Sequence, residues 1–163
     1  MRAKSSKKTA LLVTDDPAVE TTVRSVTEEL GHGLRHLQTA RDAMCVVTDA
    51  GASEVFVIVD LDGHTVGRRT LLNTAGGMLP VIALCKEERP WLSSMVRRRR
   101  IEASIAKPVT SAALTEEIHR AQAVTRAAED FADRASSWLS ASESDVEKDF
   151  DRTLRQALRY QGQ

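Results

Sequence analysis

The chain is poor in cysteine and aromatic residues, carries no net charge and contains no long apolar run. Only two of its 163 residues are cysteine, Cys45 and Cys85, and they stand forty positions apart. That separation has no metal-type spacing, which argues against a disulfide framework and for a reducing compartment. Cys45 is read as a core residue. The 23 basic side chains cancel the 23 acidic ones, so no global field draws the molecule to nucleic acid or to a membrane. Aromatic residues make up 4% of the chain and offer no stacking platform beside the run Arg97–Arg100, which leaves that run as a solvated or partner-facing surface. No apolar stretch approaches the ~18 residues a membrane span requires. The basic start is followed by an apolar run that breaks at Asp15, so it is not read as a signal peptide, and a cytoplasmic location with no membrane partner is expected.

What remains is the composition of a soluble globular protein, 42% hydrophobic and 28% charged, with room for one ordinary domain and a short appendage. Charge is unevenly placed. Residues 1–8, with Arg2, Lys4, Lys7 and Lys8, read as a basic disordered tail, and the stretch from Glu129 to Asp151 is mostly acidic.

From Thr9 to about Arg126 the pattern alternates strand and helix, which predicts a doubly wound parallel α/β sheet with helices on both faces. Asp16-Pro17 starts the first helix, striped by Val19, Val23, Val26 and Leu30 and ended by Gly31 and Gly33. Leu34–Leu37 is mixed in polarity, as an edge strand is, whereas the run ending at Val59 looks buried on both faces. Further helices are expected over Ala40–Ala50, about Thr65–Asn73, Pro90–Arg100 and from Pro108 onward, with Thr110 or Ser111 as the last N-cap. Beyond the sheet, Leu114, Ile118, Ala121, Val124, Ala128, Phe131, Ala135 and Trp138 form a heptad-like stripe. Ser140–Ser142 is expected to interrupt it before a second amphipathic helix, so 127–163 reads as a helical extension, packed back as a hairpin or serving as a dimer interface.

The chemistry gathers at strand ends. Leu11–Thr14 runs into Asp15-Asp16, Val55–Val59 into Asp60, and Ala103–Ala106 into Lys107-Pro108. In an open parallel sheet the carboxyl ends of the strands share one edge, so these residues are expected to meet there. Several carboxylates in a small space need a positive partner. A divalent metal is the first candidate, because Mg²⁺ takes hard oxygen ligands from one or two carboxylates and from phosphate.

The ordered set resembles the receiver domain of bacterial two-component response regulators over roughly residues 9–126. Asp15-Asp16 matches the acidic pair after the first strand, Asp60 the phosphoacceptor, Lys107-Pro108 the lysine-proline step, and Cys85 the position of the usual threonine or serine. The resemblance implies a flavodoxin-like five-stranded sheet of order 2-1-3-4-5. It further implies Mg²⁺ held by Asp15, Asp16, Asp60 and the Asp62 carbonyl, with Lys107 pairing a phosphoryl oxygen. Partners would be a sensor histidine kinase or a phosphotransfer protein. No enzymatic activity is expected apart from self-catalysed phosphoryl transfer at Asp60. The departures are Cys85, a weak donor in place of a hydroxyl, Ser104 where the family often has tyrosine or phenylalanine, and Gly63-His64 where a proline often stands. They leave open a phosphorylation-independent pseudo-receiver acting as an interaction or dimerisation module. Nucleic-acid binding through an Arg97–Arg100 helix is a third class.

Overall fold

The computed structural model describes residues 8–49, 55–63, 67–76 and 78–160. The basic tail up to Lys7 and His64 lie outside them. Ten elements alternate in order: β1 (Thr9–Val13), α1 (Pro17–Glu29), β2 (Gly33–Leu37), α2 (Ala40–Asp49), β3 (Val55–Asp60), α3 (Arg68–Ala75), β4 (Val81–Cys85), α4 (Pro90–Arg97), β5 (Ala103–Ala106) and α5 (Ser111–Tyr160). The five strands form one sheet in the order β2-β1-β3-β4-β5, every neighbouring pair parallel.

The period-2 alternation of the strands sorts the core into two layers. Leu11, Val13, Val57, Val59, Val81 and Ala83 point to one face, where Ala43 and Val47 of α2, Leu71 and Leu72 of α3 and Leu92 of α4 cover them. Ala10, Leu12, Phe56, Ile58, Ile82 and Leu84 point to the other, beneath Val19, Val23 and Val26 of α1 and Leu114 and Ile118 of α5. Burial on both faces is why the central strands read as unbroken apolar runs. The edge strand β5 alternates instead, with Ser104 and Ala106 exposed.

Helix starts follow local chemistry. Pro17 and Pro90 open α1 and α4 where a missing N–H costs nothing. Thr39 and Asp42 exchange hydrogen bonds ahead of α2, and the Thr110 hydroxyl accepts from the Ala113 amide at 3.2 Å, which makes Thr110 the cap of α5.

Four expectations need correction. α4 ends at Arg97, not Arg100, because Arg99 takes a left-handed φ of 54° and the Arg99 and Arg100 amides turn back to the Val96 and Met95 carbonyls. Arg98–Arg100 therefore form an exposed turn, and the run makes no basic helix. α3 starts at Arg68 after Gly67, whose φ of 79° a helix cannot continue, so it begins later than Thr65. Cys45 is exposed, because Ala40, Ala43 and Val47 set the inward face of α2 and Cys45 falls on the opposite one. Finally, α5 runs unbroken through 140–142, a stretch of serine and alanine without the glycine or proline that ends a helix.

The chain divides into two compact units, Met1–Thr125 and Arg126–Gln163. The first holds the sheet. In the second, Phe131 is 72% exposed. No helix among the described residues is long and apolar enough to cross a membrane.

Candidate functional site

Parallel pairing brings the carboxyl ends of β1, β3, β4 and β5 to one edge, and the charged residues that follow them meet there. Asp60, the last residue of β3, is 1% exposed. Its Oδ2 accepts from the Thr14 hydroxyl at 2.7 Å and from the Lys107 ammonium at 2.8 Å, while Oδ1 accepts from the Asp62 amide at 3.0 Å. A buried carboxylate is tolerable only with such partners, and here both oxygens have them.

Lys107 leaves β5 through a main-chain bond to the Cys85 carbonyl and precedes a cis proline. Besides Asp60, its ammonium lies 3.3 Å from Asp16 Oδ2 and 3.4 Å from Asp62 Oδ2. Burial works against its charge, yet the Asp60 hydrogen bond and the surrounding carboxylates prevail and raise its pKa above the ordinary lysine value. Asp16 has two tasks. Its Oδ1 caps α1 by accepting from the Ala18 amide at 3.0 Å, and that bond, helped by Lys107, holds its carboxyl below the usual range against some desolvation.

Asp15 points elsewhere. Its carboxylate pairs with the guanidinium of Arg68, a residue only 2% exposed. The same guanidinium donates to the Asp60 carbonyl at 2.6 Å and to the Asp62 carbonyl at 2.7 Å. The Asp62 carboxylate accepts from the Lys86 amide at 2.8 Å and lies 3.8 Å from Arg89, the N-cap residue of α4. Cys85 closes β4 at the same edge, but its side chain belongs to the apolar layer under α2, α3 and α4. Burial, with the Asp62 charge adding to it, pushes the thiol pKa up, so it is an un-ionised apolar group. Beside Lys107 a cleft of about 480 Å³ opens, lined by Asp16, Lys86, Pro108 and Val109 among others.

No protein-family model matches the sequence, and no curated protein does. Solved structures match over part of the chain. The signal receiver domain of a putative LuxO repressor protein from Vibrio parahaemolyticus aligns at a TM-score of 0.65 and 17% identity, covering 77% of this chain and 97% of that one. A CheY-like response regulator receiver domain protein from Methanospirillum hungatei gives 0.58 and 22%, over 70% and 92%. The chemotaxis response regulator CheY4 of Vibrio cholerae gives 0.58 and 15%, over 71% and 98%. The fold is that of a receiver domain.

The receiver edge thus assembles Asp60, Lys107, Asp16 and Asp62 around one ammonium and places Asp15 on a second cation. Thr14 and Arg68 are the two residues that sequence reasoning missed. Thr14 was legible as the polar end of an apolar run. Arg68 lies on a different element eight positions past Asp60, with Gly63 and Gly67 in left-handed conformations between them.

The Mg²⁺ site implied by the resemblance does not fit this arrangement. Each of its proposed ligands already serves a donor of the chain: Asp15 and the Asp62 carbonyl serve Arg68, Asp16 serves Ala18 and Lys107, and Asp60 serves Thr14, Lys107 and Asp62. Among the described residues no three acidic, histidine or cysteine side chains converge with metal-binding geometry. Ser104, in the place of the family's aromatic, faces outward from β5.

Proposed function

We propose that the chain is a two-component response regulator that accepts a phosphoryl group on Asp60 and signals through protein contacts. The observation that carries this is the buried Asp60 carboxylate held by Lys107 and Thr14 at the carboxyl edge of a receiver sheet. In the transfer, an Asp60 oxygen attacks phosphorus, the bond from phosphorus to the donor's nitrogen or oxygen breaks, and an acyl phosphate forms while the donor leaves as a protonated imidazole nitrogen or, from a small acyl phosphate, as a carboxylate anion. Such transfer needs positioning and charge neutralisation more than covalent help from the protein. Lys107 supplies a positive charge that transfers from the carboxylate to a phosphoryl oxygen, and the adjoining cleft gives the donor its approach. Because Lys107 covers Asp60, its flexible stem has to swing aside as the donor arrives. The donor is a phosphohistidine on a sensor kinase or phosphotransfer protein, or a small acyl phosphate.

A second reading has an observation of its own: Val124 is 50% and Phe131 72% exposed, seven residues apart on the heptad-like stripe of α5. An apolar stripe of that kind suits a homodimer or a protein partner and needs no phosphorylation.

Acetyl phosphate, added once with Mg²⁺ and once with a chelator, separates the two. The expected result is a phosphoryl mass increment on Asp60 that Asp60→Asn abolishes. No modification under either condition, or modification that survives Asp60→Asn, refutes the phosphoacceptor reading. Self-association that is unchanged by Asp60→Asn in that case establishes the interaction module.

A further inference from the structure

Arg68 is the least expected residue of the pocket, because an arginine that is 2% exposed surrenders most of its side-chain freedom and its hydration. What it receives in return is an all-oxygen cradle. One carboxylate, Asp15, and two main-chain carbonyls, Asp60 at 2.6 Å and Asp62 at 2.7 Å, converge on its guanidinium. Hard oxygen donors of mixed carboxylate and carbonyl type are what Mg²⁺ prefers as well, so the cradle matches a divalent ion in chemistry but is filled by a side chain of the protein. The wall of the cradle is close. A Cβ placed on Gly63 meets Asp15 Oδ2 at 3.3 Å and reaches Arg68 Nη1 at 4.0 Å, and the φ of +87° there further favours glycine.

We propose that the Arg68 guanidinium is the resident cation of the pocket, holding the Asp15 carboxylate and the Asp60 and Asp62 carbonyls against divalent metal. This deepens the phosphoacceptor reading and rests on it for its biological meaning. Two cations of the chain, Arg68 and Lys107, then offset part of the charge of the four carboxylates Asp15, Asp16, Asp60 and Asp62, and the Arg68 guanidinium takes the place of a metal ion at Asp15. A divalent ion that takes these oxygens has to displace a buried arginine from its contact with Asp15.

Direct Mn²⁺ titration of the full chain, read by the electron paramagnetic resonance signal of free Mn²⁺, tests this without any phosphodonor. Arg68→Gln is expected to bind Mn²⁺ about tenfold or more tightly than the unaltered chain, and Arg68→Gln with Asp15→Asn is expected to lose that gain. Equal Mn²⁺ affinity in the unaltered chain and in folded Arg68→Gln overturns the proposal. If Arg68→Gln does not fold, Asp15→Asn alone decides. An unchanged titration supports Arg68 as the occupant, whereas weakened binding shows that the ion already uses Asp15 with Arg68 present and overturns it. Since no phosphoryl group enters the titration, its outcome is independent of whether Asp60 is phosphorylated.

Discussion

Lys107→Met removes one charge while keeping most of the side-chain stem, and its cost can be worked from the pocket. The Lys107 side chain is 6% exposed and Asp60 1%, so water screens their 2.8 Å contact little. Two unit charges about 4 Å apart attract by about 4 kcal/mol at an effective dielectric constant near 20. Desolvation of both ions offsets a large part of that, and measured couplings between touching residues run from about 0.5 to 3 kcal/mol. A coupling of about 2 kcal/mol is therefore expected between Asp60 and Lys107. The single variant should lose somewhat more, about 3 kcal/mol, because Asp60 is left buried with only the Thr14 hydroxyl and the Asp62 amide. Urea unfolding of the unaltered chain, Lys107→Met, Asp60→Asn and the double variant closes the cycle, with an unchanged m-value showing that the compared states are the same. The pH dependence supplies a second reading. Since the folded pKa of Lys107 lies above the ordinary lysine value of 10.5, its contribution is complete below that value and fades as pH rises through the folded one. The unaltered chain should lose more stability in that alkaline range than Lys107→Met, whose remaining loss comes from groups such as the buried Cys85 thiol. A coupling below about 0.5 kcal/mol would falsify the view that the pocket is held by a water-excluded ion pair.

Two further perturbations test other parts of the structure. Gly76→Ala puts a Cβ 2.5 Å from the Leu72 carbonyl oxygen and 2.6 Å from that of Arg100, both main-chain atoms that give way poorly, so a loss of about 3 kcal/mol in chemical denaturation is expected; a neutral effect would mean that the end of α3 and the turn after α4 are not in close approach. The His32 ring stands edge-on to Phe56 with Nε2 2.6 Å from the Gln122 amide nitrogen and Nδ1 buried without a hydrogen-bond partner among the described residues. Burial first, then the charges of Lys8 and His119, lowers its pKa below the ordinary 6.5. Protonation therefore favours the unfolded chain, and stability should fall as pH drops below the ordinary 6.5. His32→Leu should flatten that acid limb, and an equally steep limb in the variant would show that other groups cause it.

The sheet was legible because burial on two faces writes itself into the sequence as short apolar runs, and Asp60 and Lys107 stand where two of those runs stop. Helix stripes were legible for the same reason: Val19, Val23 and Val26 recur at helical spacing and are buried in α1. Boundaries set by a single backbone dihedral were not. Nothing in Arg97–Arg100 announces that Arg99 turns left-handed, since arginine carries no preference for that conformation, and the run reads as a continued helix. Cys45 misled in another way. An apolar type inside an apolar stretch looks like core, but the face it occupies depends on the phase set by Ala40, Ala43 and Val47, two of which are alanines with little signal of their own.

In the pocket, the need for positive charge could be read from the clustering of Asp15, Asp16 and Asp60, but its source could not. A long side chain reaching back from the next helix leaves no periodic trace, and Arg68 is one of two adjacent arginines whose roles diverge. Arg69 stacks over Trp91 at 4.8 Å while Arg68 enters the cradle. What distinguishes them is one residue of phase after Gly67, a difference of about 100° around a helix. The same economy governs the pocket's links to its surroundings. Asp16 joins Lys107 to the first turn of α1, and Asp62 joins it to Arg89 at the start of α4. With Cys85 held in an apolar layer and Ser104 facing solvent, these two carboxylates link Lys107 to α1 and α4, while Arg68 links the Asp60 and Asp62 carbonyls to α3. Because Lys107 divides its contacts among all three carboxylates, the proposed phosphorylation of Asp60 is expected to draw the ammonium away from Asp16 and Asp62 together.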